Sequence, residues 1–270
     1  MHVIQVQDWA TFEQRLQKVQ EDAGQAAEFL FRGLGDSTWP LATTLERAGC
    51  GRMRISDYYR LIFPLKPEIE TFTGITWEIA APPEVEKLLQ DFDAWAERKF
   101  PEPAAYGYMV HLRHHGFPSP LLDWTRSPYI AAFFAFRSAV KPHEDQVSIY
   151  AFLELPESKL TSNTQPWIRR VGPYVRTHRR HFLQQSDYTI CATFSDGQHN
   201  EWRFTSHEDA FGRGSTHQDL LWKFDIPWTE RREVLKLLDG YNLNAFSLFE
   251  SQESLMETLA LRKLELPEQH

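Results

Sequence analysis

Chemically capable residues gather in a few short stretches of the chain. Arg32 closes an apolar run, "AEFLFRG", with Gly33 directly behind it. A guanidinium at the end of a buried strand must meet an anion, because leaving it buried and unpaired costs too much. One candidate partner is an internal acid: Asp123, Asp36 or Glu201. The other is a phosphate or pyrophosphate, which the planar fork suits, with Gly33 letting a ligand approach the backbone. A second stretch, "HLRHHGFPSPLLDWTRSPYIAAFFAF" (residues 111–136), sets Asp123 and Thr125 ahead of an apolar segment. Ser127 and Pro128 there have the chemistry of an N-cap and a first helical residue. The free N–H groups of such a helix start predict an anchor for Asp123, and a place where an anionic ligand would be stable.

His111 and His115 stand at i, i+4, a spacing that zinc tolerates, but no glutamate completes the metalloprotease pattern. Hydrogen bonding to Asp123 or acid–base help is the favoured role for the histidines, and no metal is expected. From Ser158 to Ser186 there is no acidic residue, while Lys159, Arg169, Arg170, Arg176, Arg179 and Arg180 fall there with His178 and His181. That is either a solvated basic face or a phosphate-facing surface for nucleic acid. Gln184 lies near its end, and Glu201 and Glu253 are reserve acids.

The elements that must hold these groups are partly legible. "HVIQV" alternates as a strand, and Asp8 can cap a helix carrying Phe12, Leu16 and Val19. Residues 55–73 are helical around a break at Pro64, and "PPEVEKLLQDFDAWAERKF" has Val85, Leu88, Leu89, Phe92 and Trp95 at helical spacing. "PAAYGYMVHLRHH" is a helix ending at Gly116, and "SPLLDWT" a short strand. "QVSIYAFLEL", "DYTICATF", "EWRFTS" and "LLWKFDIP" are β-rich. Then come a helix capped by Thr229 and stopped at Gly240, a last strand "NAFSLF", and a last helix with Leu255, Leu259 and Leu261 inward. The expectation is an α+β fold: one domain over residues 1–270, with a helical insertion at about 52–100 and a β-rich second half.

Composition narrows the classes. With 42% hydrophobic and 14% aromatic residues, 270 residues can build a substantial core. A net charge of −8 argues against adhesion of the whole molecule to nucleic acid. Cys50 and Cys191 match no metal spacing or disulfide framework. "MHVIQVQDWATFEQRL" does not have the make-up of a signal peptide, and "YIAAFFAF" is too short to span a bilayer, so a cytoplasmic setting is expected.

Four pieces, in order, resemble the FRG domain family: "FLFRGLGDSTWPLATTLER", "HLRHHGFPSPLLDWTRSPYIAAFFAF", "RHFLQQSDYT" and "AFSLFESQESLMETLA". The namesake tripeptide is Phe31, Arg32 and Gly33, and the HHG…LLDWT…P block runs from His114 to Pro128. Gln184, Ser186, Tyr188 and Thr189 follow the family pattern, then Ser247, Leu248 and Phe249. The resemblance spans residues 28–260, with Glu250 where a proline is usual and Ser186 where a glycine is.

The strand–polar cluster–proline–helix arrangement is also similar to one in ADP-ribosyltransferases. That likeness implies NAD as substrate, bound by Arg32, Gly33, His115 and Trp124, with Trp124 stacking on the nicotinamide or on a target base. It implies catalysis by Asp123, Thr125, Gln184 and Glu201, a carboxylate stabilising an oxocarbenium-like centre. Arg169, Arg170, Arg176, Arg179 and Arg180 would hold a DNA or RNA acceptor, in an enzyme acting as a toxin or phage-defence effector. The alternative is a non-catalytic nucleic-acid or nucleotide binding module, and below that a metal-dependent nuclease.

Overall fold

The computed structural model describes residues 1–24, 26–89, 103–155, 166–195, 201–211 and 219–266. Helices are α1 (Trp9–Ala23), α2 (Thr44–Arg47), α3 (Ile55–Ile62), α4 (Lys66–Thr73), α5 (Pro82–Leu89) and α6 (Pro103–His114) in the first part. They continue with α7 (Pro128–Phe136), α8 (Arg180–Leu183), α9 (His207–Phe211), α10 (Arg231–Gly240), α11 (Ala245–Phe249) and α12 (Gln252–Ala260). Strands are β1 (His2–Gln5), β2 (Phe29–Leu34), β3 (Leu122–Thr125), β4 (Gln146–Leu153), β5 (Trp167–Arg170), β6 (Ser186–Ser195), β7 (Glu201–Phe204) and β8 (Leu220–Pro227). The fold is α+β, built on one mixed sheet of order β1-β8-β4-β2-β3-β6-β5, with β7 on β6. Among the described strands only β1 and β8 run parallel.

Local chemistry sets the starts of the helices that matter most. Asp8 caps α1 by accepting from the Thr11 N–H at 2.7 Å. Ser127 caps α7 through the Ile130 N–H at 3.3 Å, and Pro128 occupies the first turn. Alanines then line α7, which packs on β2 with Ala131, Ala132 and Ala135 fully buried. Gly33 is what allows this contact. A Cβ there would stand 1.9 Å from the Ala131 carbonyl oxygen and 2.7 Å from the Ala135 nitrogen.

Three apolar clusters share the sheet. One joins α1, α7, α10 and α11 to β2, β4 and β8. A second packs α3, α5 and α6 against β6 and β7, with Tyr58, Tyr59 and Tyr108 at its centre. The third covers the other side of the middle strands with Trp124, Phe152 and Ile168. The described part of the expected insertion therefore packs directly on the sheet, and Phe92 and Trp95 lie outside the described residues.

Several expectations need correction. "NAFSLF" is not a strand: Asn244 and Ser247 form a capping box that starts α11. A 3₁₀ turn over Trp228–Glu230 precedes α10, so Thr229 is not its cap. In α12 the buried residues are Ser254 and Thr258 and Leu259 is exposed, while Leu261, just beyond it, packs against the core as expected. Thr258 donates to the Ser254 carbonyl and accepts from the Phe246 N–H, tying α12 to α11.

Candidate functional site

Strands β2 and β3 pair at Phe31↔Thr125, the single register pair between them among the described residues. A pocket of about 400 Å³ opens where they meet, within the range of small-molecule sites. Arg32, Asp123, Thr125 and Gln184 all line it, so the sequence-selected residues from three distant stretches converge on one space.

At its base, Arg32 spans the gap between the strands. Its Nη1 donates to the Asp123 carbonyl oxygen at 2.5 Å and to Asp123 Oδ1 at 2.6 Å. Arg113, from the last turn of α6, donates through Nη2 to the same Oδ1 at 2.7 Å. Asp123 Oδ2, Arg32 Nη2 and Arg113 Nη1 make no hydrogen bond among the described residues. The Asp123 side chain keeps 43% of its surface exposed, against 10% for Arg32 and 19% for Arg113. Burial alone would raise the Asp123 pKa. The charges of Arg113 and Arg32 and their hydrogen bonds outweigh it, holding the carboxyl well below the usual range. In turn, the Asp123 charge raises the Arg113 pKa.

Positive charge dominates the rest of the lining. Arg47, at the end of α2, forms no ion pair among the described residues, and burial together with the charges of Arg32 and Arg113 lowers its pKa. Arg180 lies with its guanidinium 5.5 Å from the Phe249 ring centroid, and Arg137 is 4.6 Å from the same ring. Arg137 is held by a two-pronged contact to Glu257, at 2.6 Å for each bond. Five arginines against one carboxylate make the pocket cationic inside a molecule of net charge −8.

A neutral polar chain lies beside these charges. Burial pushes the His114 pKa down to about 4, despite the pull of Asp123. His114 Nε2 is 2.8 Å from the Tyr188 hydroxyl, which lies 3.4 Å from His181 Nδ1. Because His181 Nε2 faces the Pro173 carbonyl oxygen at 2.9 Å, that nitrogen carries the proton. Tyr188 then donates to His181 and accepts from His114, leaving His114 Nδ1 as that ring's basic nitrogen.

The match to the FRG domain family covers residues 27–144. That segment, a little under half of the chain, is similar to the FRG domain. The matched segment supplies Arg32, Arg47, Arg113, His114, Asp123, Thr125 and Arg137 to the pocket. Arg180, Gln184, Tyr188 and Phe249, which also line it, come from later in the chain. No curated protein and no solved structure matches the chain.

Other sequence-selected residues lie elsewhere or act differently. Trp124 is 4% exposed, stacks on Phe152, and donates its indole N–H to Thr189 Oγ1 at 2.8 Å. Its ring belongs to the core and cannot stack on a ligand. Glu201 pairs with Arg54 at 3.4 Å and with Arg203, away from the pocket. His115 lies against His111, with ring centroids 4.4 Å apart, in a different cavity that also takes in His178 and Arg176. No group of three or more His, Cys, Asp or Glu among the described residues is arranged to hold a metal ion.

The missing Cβ of Gly33 serves the α7 contact, and Gly33 also lines the pocket. Asp123 is not the anchor of the α7 start, a role taken by Ser127 and by Thr125, whose hydroxyl accepts from the Ser127 N–H at 3.2 Å. The Gln184 amide is tied to the Leu248 carbonyl oxygen at 3.1 Å. Glu253 is exposed on the first turn of α12.

The basic stretch does not form one face. Arg170 turns to Asp187 and Glu28, Arg179 pairs with Glu250, and Arg180 enters the pocket. Arg169 sits on β5, and Lys159 lies outside the described residues. Arg47, Arg113 and Arg137 are the functional candidates that sequence reasoning missed. Arg47 and Arg113 both stand inside the quoted FRG pieces, so their charge was a usable signal. Among the described residues no helix is long and apolar enough to cross a membrane.

Proposed function

We propose that the pocket binds NAD through its pyrophosphate and breaks the nicotinamide–ribose bond, passing ADP-ribose to an acceptor. One observation carries this reading: a permanently ionised, partly exposed carboxylate sits at the base of a cluster of arginines. The arginines suit a pyrophosphate, which spreads its charge over several oxygens that planar forks can grip. Asp123 suits the reacting ribose. As the C1′–N bond breaks, its electron pair goes to the nicotinamide ring nitrogen, which becomes neutral, and positive charge develops on the ribose. A fixed carboxylate oxygen nearby lowers the energy of that state without taking up a proton. Asp123 Oδ2 is the oxygen left for this role, Oδ1 being held by both guanidiniums. An acceptor oxygen or nitrogen then bonds to C1′ and releases its proton to solvent.

Thr125 contributes by fixing the start of α7 behind Asp123, and Gln184 by fixing α11, which presents Phe249. Both are positioning residues in this scheme. A second reading, a nucleotide-binding module without turnover, is favoured by one feature: among the described residues no second carboxylate lines the pocket to act as a base toward an acceptor.

Incubation of the pure protein with NAD and a mixture of DNA, RNA and protein, followed by mass spectrometry, separates the two. The enzymatic reading predicts a gain of one ADP-ribose unit on one acceptor class, lost in Arg32→Ala and Asp123→Ala. Intact NAD and unmodified acceptors, with NAD bound in calorimetry, would establish the binding module instead.

A further inference from the structure

The indole proposed from the sequence to stack on a ligand is buried, yet another tryptophan stands exposed at the pocket mouth. Trp39 is 56% exposed and lines both the arginine pocket and a neighbouring cavity of about 580 Å³. The two spaces share Gly35, Trp39, Phe134 and Arg137. Phe72, Tyr174 and other large apolar side chains are also exposed, but among the described residues Trp39 is the exposed one that lines the arginine pocket, and that placement is what gives its exposure a use.

The turn that carries it is unusually well tied. Asp36 is buried, and its carboxylate accepts from the Thr38 N–H at 2.9 Å, the Thr38 hydroxyl at 2.6 Å and the His143 N–H at 2.8 Å. The Trp39 N–H donates to the Asp36 carbonyl at 3.2 Å, and the Ser37 N–H to that of Gln146 at 2.9 Å. Lys223 Nζ reaches the Ser37 carbonyl at 2.7 Å. Beyond the turn, Leu41 is fully buried and its N–H is taken by Glu208 at 2.8 Å. The backbone on both sides is anchored while the ring is not covered. That is a preorganised platform, in which little conformational freedom is lost when something flat lies on it.

We infer that Trp39 is the stacking surface for the purine ring of a nucleotide whose diphosphate lies against Arg32, Arg47, Arg113 and Arg180. The charge of the adjoining pocket selects the occupant. An anionic diphosphate is drawn to the arginines, and the base attached to it is an apolar, π-faced group needing an aromatic partner beside them. The opening toward the second cavity, walled by Phe134 and Arg137, gives that ring room beyond the phosphates. The inference rests on the reading of the arginine pocket as a nucleotide site.

Calorimetric titration of wild type, Trp39→Ala and Trp39→Phe with inorganic pyrophosphate and with ADP tests it. Base–aromatic stacking at its usual strength predicts that Trp39→Ala binds ADP about tenfold more weakly, with pyrophosphate affinity within about twofold of wild type. Trp39→Phe should recover most of the ADP affinity. If Trp39→Ala leaves ADP binding unchanged, or weakens ADP and pyrophosphate equally, the stacking role is overturned while the phosphate pocket stands. If wild type binds neither ligand, the nucleotide reading of the pocket fails and the stacking role falls with it.

Discussion

Asp123 is the residue on which the geometry turns, because one of its oxygens takes hydrogen bonds from two arginines on different elements. Asp123→Asn keeps the shape and removes the charge. Losing one member of a buried ion pair costs about 3–5 kcal/mol, and partial exposure of this carboxylate lowers the expected loss to about 2 kcal/mol at pH 7. Its folded-state pKa is depressed, so its contribution is fully present above the ordinary value of 3.8 and fades only as pH falls below it. Urea unfolding should therefore show a constant gap between wild type and variant from pH 8 down to about pH 5, narrowing toward pH 3. A gap that closes between pH 7 and 6 would assign the effect to a histidine.

Ligand binding carries its own pH signature. Asp123 stays ionised, and His114, with its pKa pushed down to about 4, stays neutral at physiological pH. Affinity for ADP-ribose, whose pyrophosphate does not titrate in this range, should be flat from pH 6 to 8 by calorimetry.

Among the elements, the β2–β3–α7 unit holds the pocket floor. Gly33→Ala forces a methyl group into the Ala131 carbonyl and pushes α7 off β2. Overpacking of this kind costs about 1–3 kcal/mol, or a fall in Tm of roughly 2–12 °C for a chain this long, readable by calorimetric melting. A variant that melts with wild type would show that α7 yields freely.

This unit was the most legible part of the chain. An apolar run ending in Arg-Gly, a Ser-Pro helix start and an alanine-rich segment each have one local physical meaning, and they agree. The face of Trp124 was legible too, and was misread. Period-two alternation puts Leu122 and Trp124 together in the core and turns Asp123 away from them. The segment "NAFSLF" was not legible as helix, because a five-residue apolar element has too little period to separate helix from strand. The charges of Arg47 and Arg113 were visible in the sequence, but their convergence on the pocket was hidden for another reason. Each lies in the last turn of a helix, and where a helix end points is decided by packing of the tyrosine-rich cluster, not by neighbours in sequence.

For the whole molecule, the decisive contrast is a cationic pocket inside an acidic protein. Its charges are partly exposed, so raising NaCl from 50 to 500 mM should weaken ADP binding several-fold by screening. Long oligonucleotides should bind weakly at physiological salt, because Arg170 and Arg179 are already paired and Arg180 faces the pocket. The most direct test of the proposed NAD cleavage is quantitative release of nicotinamide from NAD by the purified chain, compared with folded Asp123→Asn. Electrostatic stabilisation by a preorganised group predicts steady release by wild type and a rate at least about a hundredfold lower in the variant, with ADP-ribose still bound. NAD left intact by wild type, or equal release by both proteins, would contradict it.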